Sequence, residues 1–163
     1  MLISSVLAIH GILNQTFGES MNIIKLIIAI TLLSSVNAFA SCVGDFKEGQ
    51  KYLYEAEIRR NEAFGRARLI NEGTPVSNNV KYCKEAHKSR ALLFKVTKNY
   101  KNGNLIAKDL SKTCPHKKYR DFSIEIEANT RPYVQAGLTQ LAALDEVVQT
   151  HCGATDSLSA ELI

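Results

Sequence analysis

The residues best suited to chemistry in this 163-residue chain are its four cysteines and the histidines beside three of them. The close pairs are Cys83 with His87, Cys114 with His116, and His151 with Cys152. Four of these side chains could form a tetrahedral zinc site: Cys83, His87, Cys114 and His116. In the alternative interpretation, which we favour, the cysteines form disulfides and leave no thiolate to bind a metal.

Patterns that signal catalysis are missing from the sequence. It contains no Gly-x-Ser-x-Gly, no paired-carboxylate motif, no glycine-rich phosphate loop and no His-Glu-x-x-His. It also lacks Cys-x-x-Cys-His, which would attach a haem covalently. We therefore expect a non-enzymatic protein without a cofactor.

Residues 21–40 resemble a secretory signal peptide. The segment has a lysine near its start, an apolar middle from Leu26 to Leu33, and small residues at Ala38 and Ala40. The apolar part is shorter than the roughly 20 residues of a membrane-spanning helix. Residues 1–20 carry no Lys or Arg, and we interpret them as a mis-called upstream extension. Export would place the cysteines in an oxidising compartment, secreted or periplasmic in a bacterium.

Cys42 permits a second interpretation of the leader. The sequence Phe39-Ala40-Ser41-Cys42 loosely resembles a lipobox, in which the cysteine becomes lipidated. Lipidation would leave three cysteines, an odd number for an oxidising compartment. We therefore favour soluble export and expect membrane attachment only if Cys42 carries a lipid.

The exported part reads as a single helical domain over residues 41–153. A capping box at Asp45 and Glu48 predicts the start of a first helix, which Gly73 and Pro75 end. Residues spaced by three and four predict its buried seam: Phe46, Gly49, Leu53, Ala56, Arg60, Ala63, Ala67 and Ile70. The small residues Gly49, Ala56 and Ala63 recur every seven positions, which indicates close packing against a neighbouring helix.

The second half of the domain predicts further helices. Asn78 or Asn79 can cap a helix from Val80 to Asn102, which Gly103 would end. Its apolar stripe is predicted to include Cys83, Ala86 or His87, Ala91, Phe94 and Val96, with Leu92 and Leu93 beside it and the lysines and Arg90 in solvent.

A short helix from Leu105 to Lys112 is predicted next. The last helix runs from His116 to Cys152, with Pro132 kinking or restarting it and Gly153 capping it. Its seam is predicted at Tyr133 or Val134, Leu138, Leu141, Leu144 or Asp145, and Val148. The fold class predicted is all-α: a small antiparallel bundle of three long helices and one short one, stapled by disulfides, with a flexible tail over 154–163.

Four cysteines permit three disulfide pairings. A bond between Cys42 and Cys83 is excluded if a long helix separates them, because Cα atoms must lie within about 7 Å. Of the two remaining pairings we prefer Cys42–Cys152 with Cys83–Cys114 over Cys42–Cys114 with Cys83–Cys152.

Charge is distributed unevenly along the domain. Residues 81–120 hold twelve Lys and Arg against two acids, and residues 121–163 hold seven acids against one Arg. Adjacent helices could neutralise each other; alternatively, the lysines form a face for an anionic partner: Lys84, Lys88, Lys95, Lys98 and Lys101. Aromatic residues are sparse in this stretch, which weighs against nucleic acid.

The function predicted is that of an exported helical bundle that binds an unidentified protein or an anionic surface. An alternative is a secreted toxin, inhibitor or effector that acts on another cell. A third hypothesis, from a different class, is a metal-binding or catalytic protein that uses the Cys/His pairs. The absence of catalytic motifs and the basic middle segment rank them in this order.

Overall fold

Three long helices form the fold of the described residues. The computed structural model describes residues 21–75, 79–153 and 157–163, with side chains from residue 40 onward. The elements are α1 (Met21–Glu72), α2 (Val80–Thr113), α3 (Lys117–Cys152) and a 3₁₀ helix (Ala160–Leu162). Residues 39–163 form one compact unit. The upstream extension predicted for residues 1–20 lies outside the described residues.

The predicted all-α bundle is confirmed. One core cluster combines buried residues of all three helices: Ala56, Ala63 and Ala67 of α1, Leu93, Val96 and Tyr100 of α2, and Leu141 and Leu144 of α3. These α1 residues belong to the seam predicted from spacing. Because the alanine side chains of α1 are small, larger side chains from α2 and α3 can occupy the interior.

Helix α2 continues through Gly103, so the predicted stop there and the separate short helix are wrong. Gly103 is buried, and a Cβ added to it would lie 2.5 Å from Leu53 Cδ2 and 3.3 Å from the Gly49 carbonyl oxygen. The glycine therefore permits the close approach of α1 to α2. Its small size serves packing between helices rather than helix termination.

Helix α3 likewise continues through Pro132, where a kink or restart was predicted. A proline removes one backbone hydrogen bond, and packing on both sides of it supports the rest of the helix. Thr130 is buried before it and Gly137 after it. At Gly137 an added Cβ would lie 2.3 Å from the Thr97 hydroxyl oxygen, which shows how closely α2 and α3 approach.

The predicted helix ends are confirmed in part. Asn79 caps α2 by accepting a hydrogen bond from the Tyr82 amide at 2.9 Å, as predicted. Gly153 ends α3 with φ 72°, a left-handed conformation that glycine adopts without strain. Asp45 lies inside α1 rather than at its start, so the predicted capping box does not begin a helix in this chain.

The disulfides are Cys42–Cys114 and Cys83–Cys152, so the preferred pairing was wrong. Cys83 and Cys114 lie at opposite ends of the continuous α2, about 46 Å apart at 1.5 Å per residue, and cannot bond. The preferred pairing required the chain to turn at Gly103. The observed bonds join α2 to α1 at one end and to α3 at the other.

The C-terminal segment packs against the bundle instead of forming the predicted flexible tail. Leu162 is buried and belongs to the main core cluster, and Leu158 packs against it. The Leu162 carbonyl accepts a hydrogen bond from the Lys101 ammonium group. Residues 157–163, which we call the C-terminal strap, therefore cover part of the core.

Candidate functional site

A row of lysines lies along the exposed face of α2. Four of the five predicted partner-binding residues belong to it, Lys84, Lys88, Lys95 and Lys98, and Lys81 extends it. Spacings of three, four, seven and three residues keep the side chains on one face of the helix. The row spans about 26 Å from Lys81 to Lys98 at 1.5 Å per residue. We call these five residues the basic row.

Lys101 does not belong to the basic row. It is half-buried, and its ammonium group donates to the Leu162 carbonyl in the C-terminal strap. Three residues beyond Lys98, it points toward a different neighbour. Lys101 was predicted to contribute to the same anionic face; in the structure its ammonium group instead has a hydrogen-bond partner in the strap.

Opposite charge offsets little of the basic row. Glu85 forms an ion pair with Lys88 at 3.1 Å and with Arg66 of α1 at 3.5 Å. Lys81, Lys84 and Lys95 have no ion-pair partner among the described residues, while Lys98 lies 5.6 Å from the centre of the Phe94 ring. Among the described residues, the basic row is therefore not neutralised by ion pairs with the acids of α3.

The pKa of Glu85 reflects the positive charge of this surface. The hydrogen bond from Lys88 and the charge of Lys88 hold the pKa of Glu85 below its ordinary value. Partial desolvation opposes this shift, and the charges of Arg66 and Lys84 add to it. A carboxylate that is stabilised by several cations shows that the surface favours negative charge.

Arg90 occupies the interior rather than the predicted solvent face. Its Nε donates to Asp145 Oδ1 at 2.7 Å, and the two side chains are 4% and 5% exposed. Asp145 also accepts from the Ser157 hydroxyl at 3.0 Å and the Ser159 amide at 2.7 Å. Ala91, which was predicted in the apolar stripe, is exposed instead.

The Asp145 carboxylate is therefore an anchor for the C-terminal strap. Burial alone would raise the pKa of Asp145, but hydrogen bonds from Ser159, Arg90 and Ser157 outweigh it and hold the pKa below its ordinary value. Neither Arg90 nor Asp145 is accessible to a ligand. No local pattern in the sequence marks this pair, because its members are 55 residues apart.

The proposed zinc ligands are not brought together. Cys83 is bonded to Cys152, and Cys114 is bonded to Cys42. Neither of the two proposed cysteine ligands therefore offers a thiolate. His87 follows Cys83 near the start of α2, whereas His116 lies beyond its other end. Within the described residues, no three His, Cys, Asp or Glu side chains are grouped as metal ligands would be.

A groove between α1 and α3 went unnoticed in the sequence. It encloses about 400 Å³ and is lined by Leu53, Tyr54, Glu57, Arg60, Tyr100, Asn129, Thr130 and Tyr133. The rings of Tyr100 and Tyr133 stack with centroids 5.2 Å apart, and Arg60 lies 5.1 Å from the Tyr133 centroid. Tyr100 and Arg60 therefore both pack on the Tyr133 ring.

The polar groups of this groove satisfy one another. Tyr100 donates to Glu57 at 2.5 Å, and Glu57 also pairs with Arg60 at 2.7 Å. Burial, followed by the hydrogen bond and charge of Glu57, raises the pKa of Tyr100 well above its ordinary value. We therefore interpret this cluster as one that stabilises the contact between the helices. The basic row is the stronger candidate for binding.

Among the residues whose side chains are described, no helix is long and apolar enough to cross a membrane. The two disulfides indicate an oxidising environment outside the cytoplasm.

No protein-family model matches this chain, and neither the curated proteins nor the solved structures contain a match.

Proposed function

We propose that this chain is an exported, non-enzymatic binding protein that attaches to an anionic partner through the basic row. The observation that carries the proposal is the alignment of five exposed lysines on one face of α2, with the acid Glu85 at one position beside them. A straight row of about 26 Å matches a partner with repeated negative charge better than a small anion.

Export of the protein as a soluble chain is part of the proposal. Residues 21–40 supply the leader, and cleavage after Ala40 leaves Cys42 as the second residue of the new chain. Cys42 bonds to Cys114, and a lipid on its sulfur would exclude that bond. The disulfide therefore supports soluble secretion or a periplasmic location over lipid anchoring.

The partner chemistry follows from the side chains available. Lysine ammonium groups are compact point charges that bind phosphates, sulfates and carboxylates without the planar geometry that arginine imposes. Few aromatic side chains accompany the row, so stacking on nucleic-acid bases contributes little. We therefore propose an acidic glycan or an anionic lipid headgroup layer outside the cytoplasm.

Binding of the exported protein tests the proposal. Intact mass should first show a chain that begins at Ser41 and contains both disulfides. Binding to vesicles with anionic phospholipid and to an acidic polysaccharide is then measured at increasing salt. Affinity should fall steeply toward physiological ionic strength, where the Debye length shortens to about 8 Å.

Charge reversal distinguishes binding through the basic row from a general effect of the protein's net charge. The triple variant Lys84→Glu, Lys95→Glu and Lys98→Glu should abolish binding to at least one of the two probes. The matched control reverses three exposed lysines outside the row: Lys108, Lys112 and Lys118. Equal loss in both variants, or binding that ignores salt and both variants, would show that the basic row is a solvated face only.

A further inference from the structure

The side of α1 that faces away from the core carries an exposed apolar stripe. Tyr54, Ile58 and Leu69 are 69%, 64% and 74% exposed. At Gly65, between Ile58 and Leu69, an added Cβ would meet nothing within 4 Å. Spacings of four, seven and four residues place these four positions on one helix face. An apolar row of this kind on a small domain indicates a contact surface.

The residues of this face are arranged symmetrically about the midpoint between Asn61 and Glu62. Tyr54 and Leu69 are equally far from the midpoint, and so are Ile58 and Gly65. Lys51 and Glu72 continue the pattern at the two ends, with opposite charges. We call these six residues the outer stripe: Lys51, Tyr54, Ile58, Gly65, Leu69 and Glu72.

We propose that the outer stripe pairs with the outer stripe of a second copy, in an antiparallel homodimer. A two-fold axis between Asn61 and Glu62 places each residue opposite its mirrored position in the partner. Ile58 then enters the notch that Gly65 leaves, and Tyr54 packs on Leu69. Each contact occurs twice, as in an isologous interface.

Charge complementarity identifies the occupant as this same chain. Lys51 lies opposite Glu72 across the axis. Lys51 has no ion-pair partner among the described residues, and the exposed Glu72 pairs with Arg68 of its own chain at 3.1 Å. Two further pairs of opposite charge are mirrored with offsets of two residues: Glu55 with Arg66, and Glu57 with Arg68. Members of each pair are eleven residues apart, about three helical turns, and so share a flank.

One like-charged contact accompanies these pairs. Glu62 lies beside the axis and therefore near its own copy. Arg66 neutralises it within the same chain through an ion pair of 3.1 Å. The outer stripe belongs to α1 and the basic row to α2, so the dimer and the binding of an anionic partner are separate proposals.

The first test removes the apolar contact. Sedimentation of the oxidised protein across a range of concentrations should show a monomer–dimer equilibrium. Ile58→Lys and Leu69→Lys should each shift the protein to monomer at concentrations where the unmodified chain is dimeric. Leu105→Lys is the matched control, because Leu105 is an exposed apolar residue of α2. It should leave the equilibrium unchanged.

The second test exchanges charges across the axis. Lys51→Glu alone and Glu72→Lys alone each create two like-charged contacts, and we expect about tenfold weaker dimerisation from each. The double variant restores both contacts and should recover the original dissociation constant. Residues 51 and 72 are about 31 Å apart within one helix, so recovery requires pairing between two chains.

A protein that remains monomeric at all concentrations would overturn the proposal. So would a dimer that survives both lysine substitutions in the stripe, or a double variant no tighter than the singles. The substituted positions are exposed. Unchanged thermal unfolding, measured at a concentration where all the proteins are monomeric, would establish that lost dimerisation does not reflect lost folding.

Discussion

The two ends of the bundle are closed by disulfides that differ in their surroundings. Cys42–Cys114 is buried, at 3% and 2% exposure, in a cluster with Leu110. Phe46, Ile106 and Tyr119 pack against this cluster, and the Phe46 and Tyr119 rings meet at 5.1 Å. We call this the apolar end. Cys83 and Cys152, at the other end, are only half-buried.

The second end, which we call the polar end, depends on a charged anchor. Arg90 and Asp145 each lie seven residues from the cysteines of their helices, or about 10 Å. Asp145 accepts hydrogen bonds from the backbone and side chains of the strap that follows Cys152. The same helix, α2, is thus held by apolar packing at one end and by a satisfied ion pair at the other.

The comparison separates chain entropy from native contacts. The two disulfides span 72 and 69 residues of sequence. In the chain-entropy model each then stabilises the fold by nearly the same amount, about 4 kcal/mol as an upper value. Any measured difference between the two ends must therefore come from what surrounds each disulfide in the folded state.

The largest expected effect is at the polar end. Asp145→Asn removes the carboxylate charge that pairs with the buried Arg90 guanidinium at 2.7 Å, and it weakens the hydrogen bonds that hold the strap. Removing one member of a buried ion pair costs about 3–5 kcal/mol. Urea unfolding measures this loss, and hydrogen exchange should show amides of residues 157–163 becoming unprotected first.

Asp109→Asn provides the matched control for that substitution. Asp109 is an exposed acid of α2 without an ion pair in the described part of the chain. We expect its change to stay within about 0.5 kcal/mol, as for most surface substitutions. If the two variants were equally stable, the strap would not depend on the charge of Asp145.

A smaller difference should separate the disulfides themselves. Replacing Cys42 and Cys114 together by Ala removes a cross-link and also leaves a space in a packed apolar cluster. Replacing Cys83 and Cys152 together removes a cross-link of equal loop length from half-exposed surroundings. Each double variant should lose about 2–4 kcal/mol, with the apolar end about 1 kcal/mol worse.

Urea unfolding of the two double variants under identical conditions measures this difference. A variant of the polar end that loses more than one of the apolar end would reverse the comparison. It would indicate that Cys83–Cys152 also holds the strap in place, which hydrogen exchange of residues 157–163 would then reveal directly.

Much of the apolar framework was predictable from the sequence. Seam positions such as Ala56, Ala63 and Leu141 follow from spacing alone, because burial of a helix face depends on its own periodicity. The even cysteine count together with a leader also pointed to disulfides. These inferences use information that lies within one segment.

The errors concern residues whose role depends on a distant partner. Gly103 looked like a helix stop, and its actual role follows from the approach of Leu53, fifty residues earlier. Arg90 looked like one more solvent-exposed cation, and its burial follows from Asp145 on another helix. The predicted disulfide pairing was wrong because it relied on a helix stop at Gly103. A continuous α2 separates Cys83 from Cys114.

The candidate site was predictable to a similar extent. Spacing within α2 placed Lys84, Lys88, Lys95 and Lys98 on one face without knowledge of the other helices. Lys101 required knowledge of the strap, whose carbonyl oxygen at Leu162 it binds. The tyrosine groove combines residues of three helices, and no local pattern in the sequence marks it.

Acid should weaken the polar end selectively. The pKa of Asp145 is lower in the folded protein than its ordinary value, so the unfolded chain takes up this proton first as the pH falls. The stabilisation is therefore complete above the ordinary pKa of about 4 and is lost as the pH falls through the lower folded value.

Comparison with Asp145→Asn isolates this group from the other carboxylates. Asparagine is neutral at every pH, as protonated Asp145 would be, so both proteins share all remaining titrations. The stability gap between them should be constant from neutral pH to about pH 5 and should narrow in stronger acid. Urea unfolding over a pH series measures the gap. A gap that stays constant into strong acid would mean that the ionised carboxylate does not stabilise the strap, and that hydrogen bonding alone distinguishes the polar end from the apolar one.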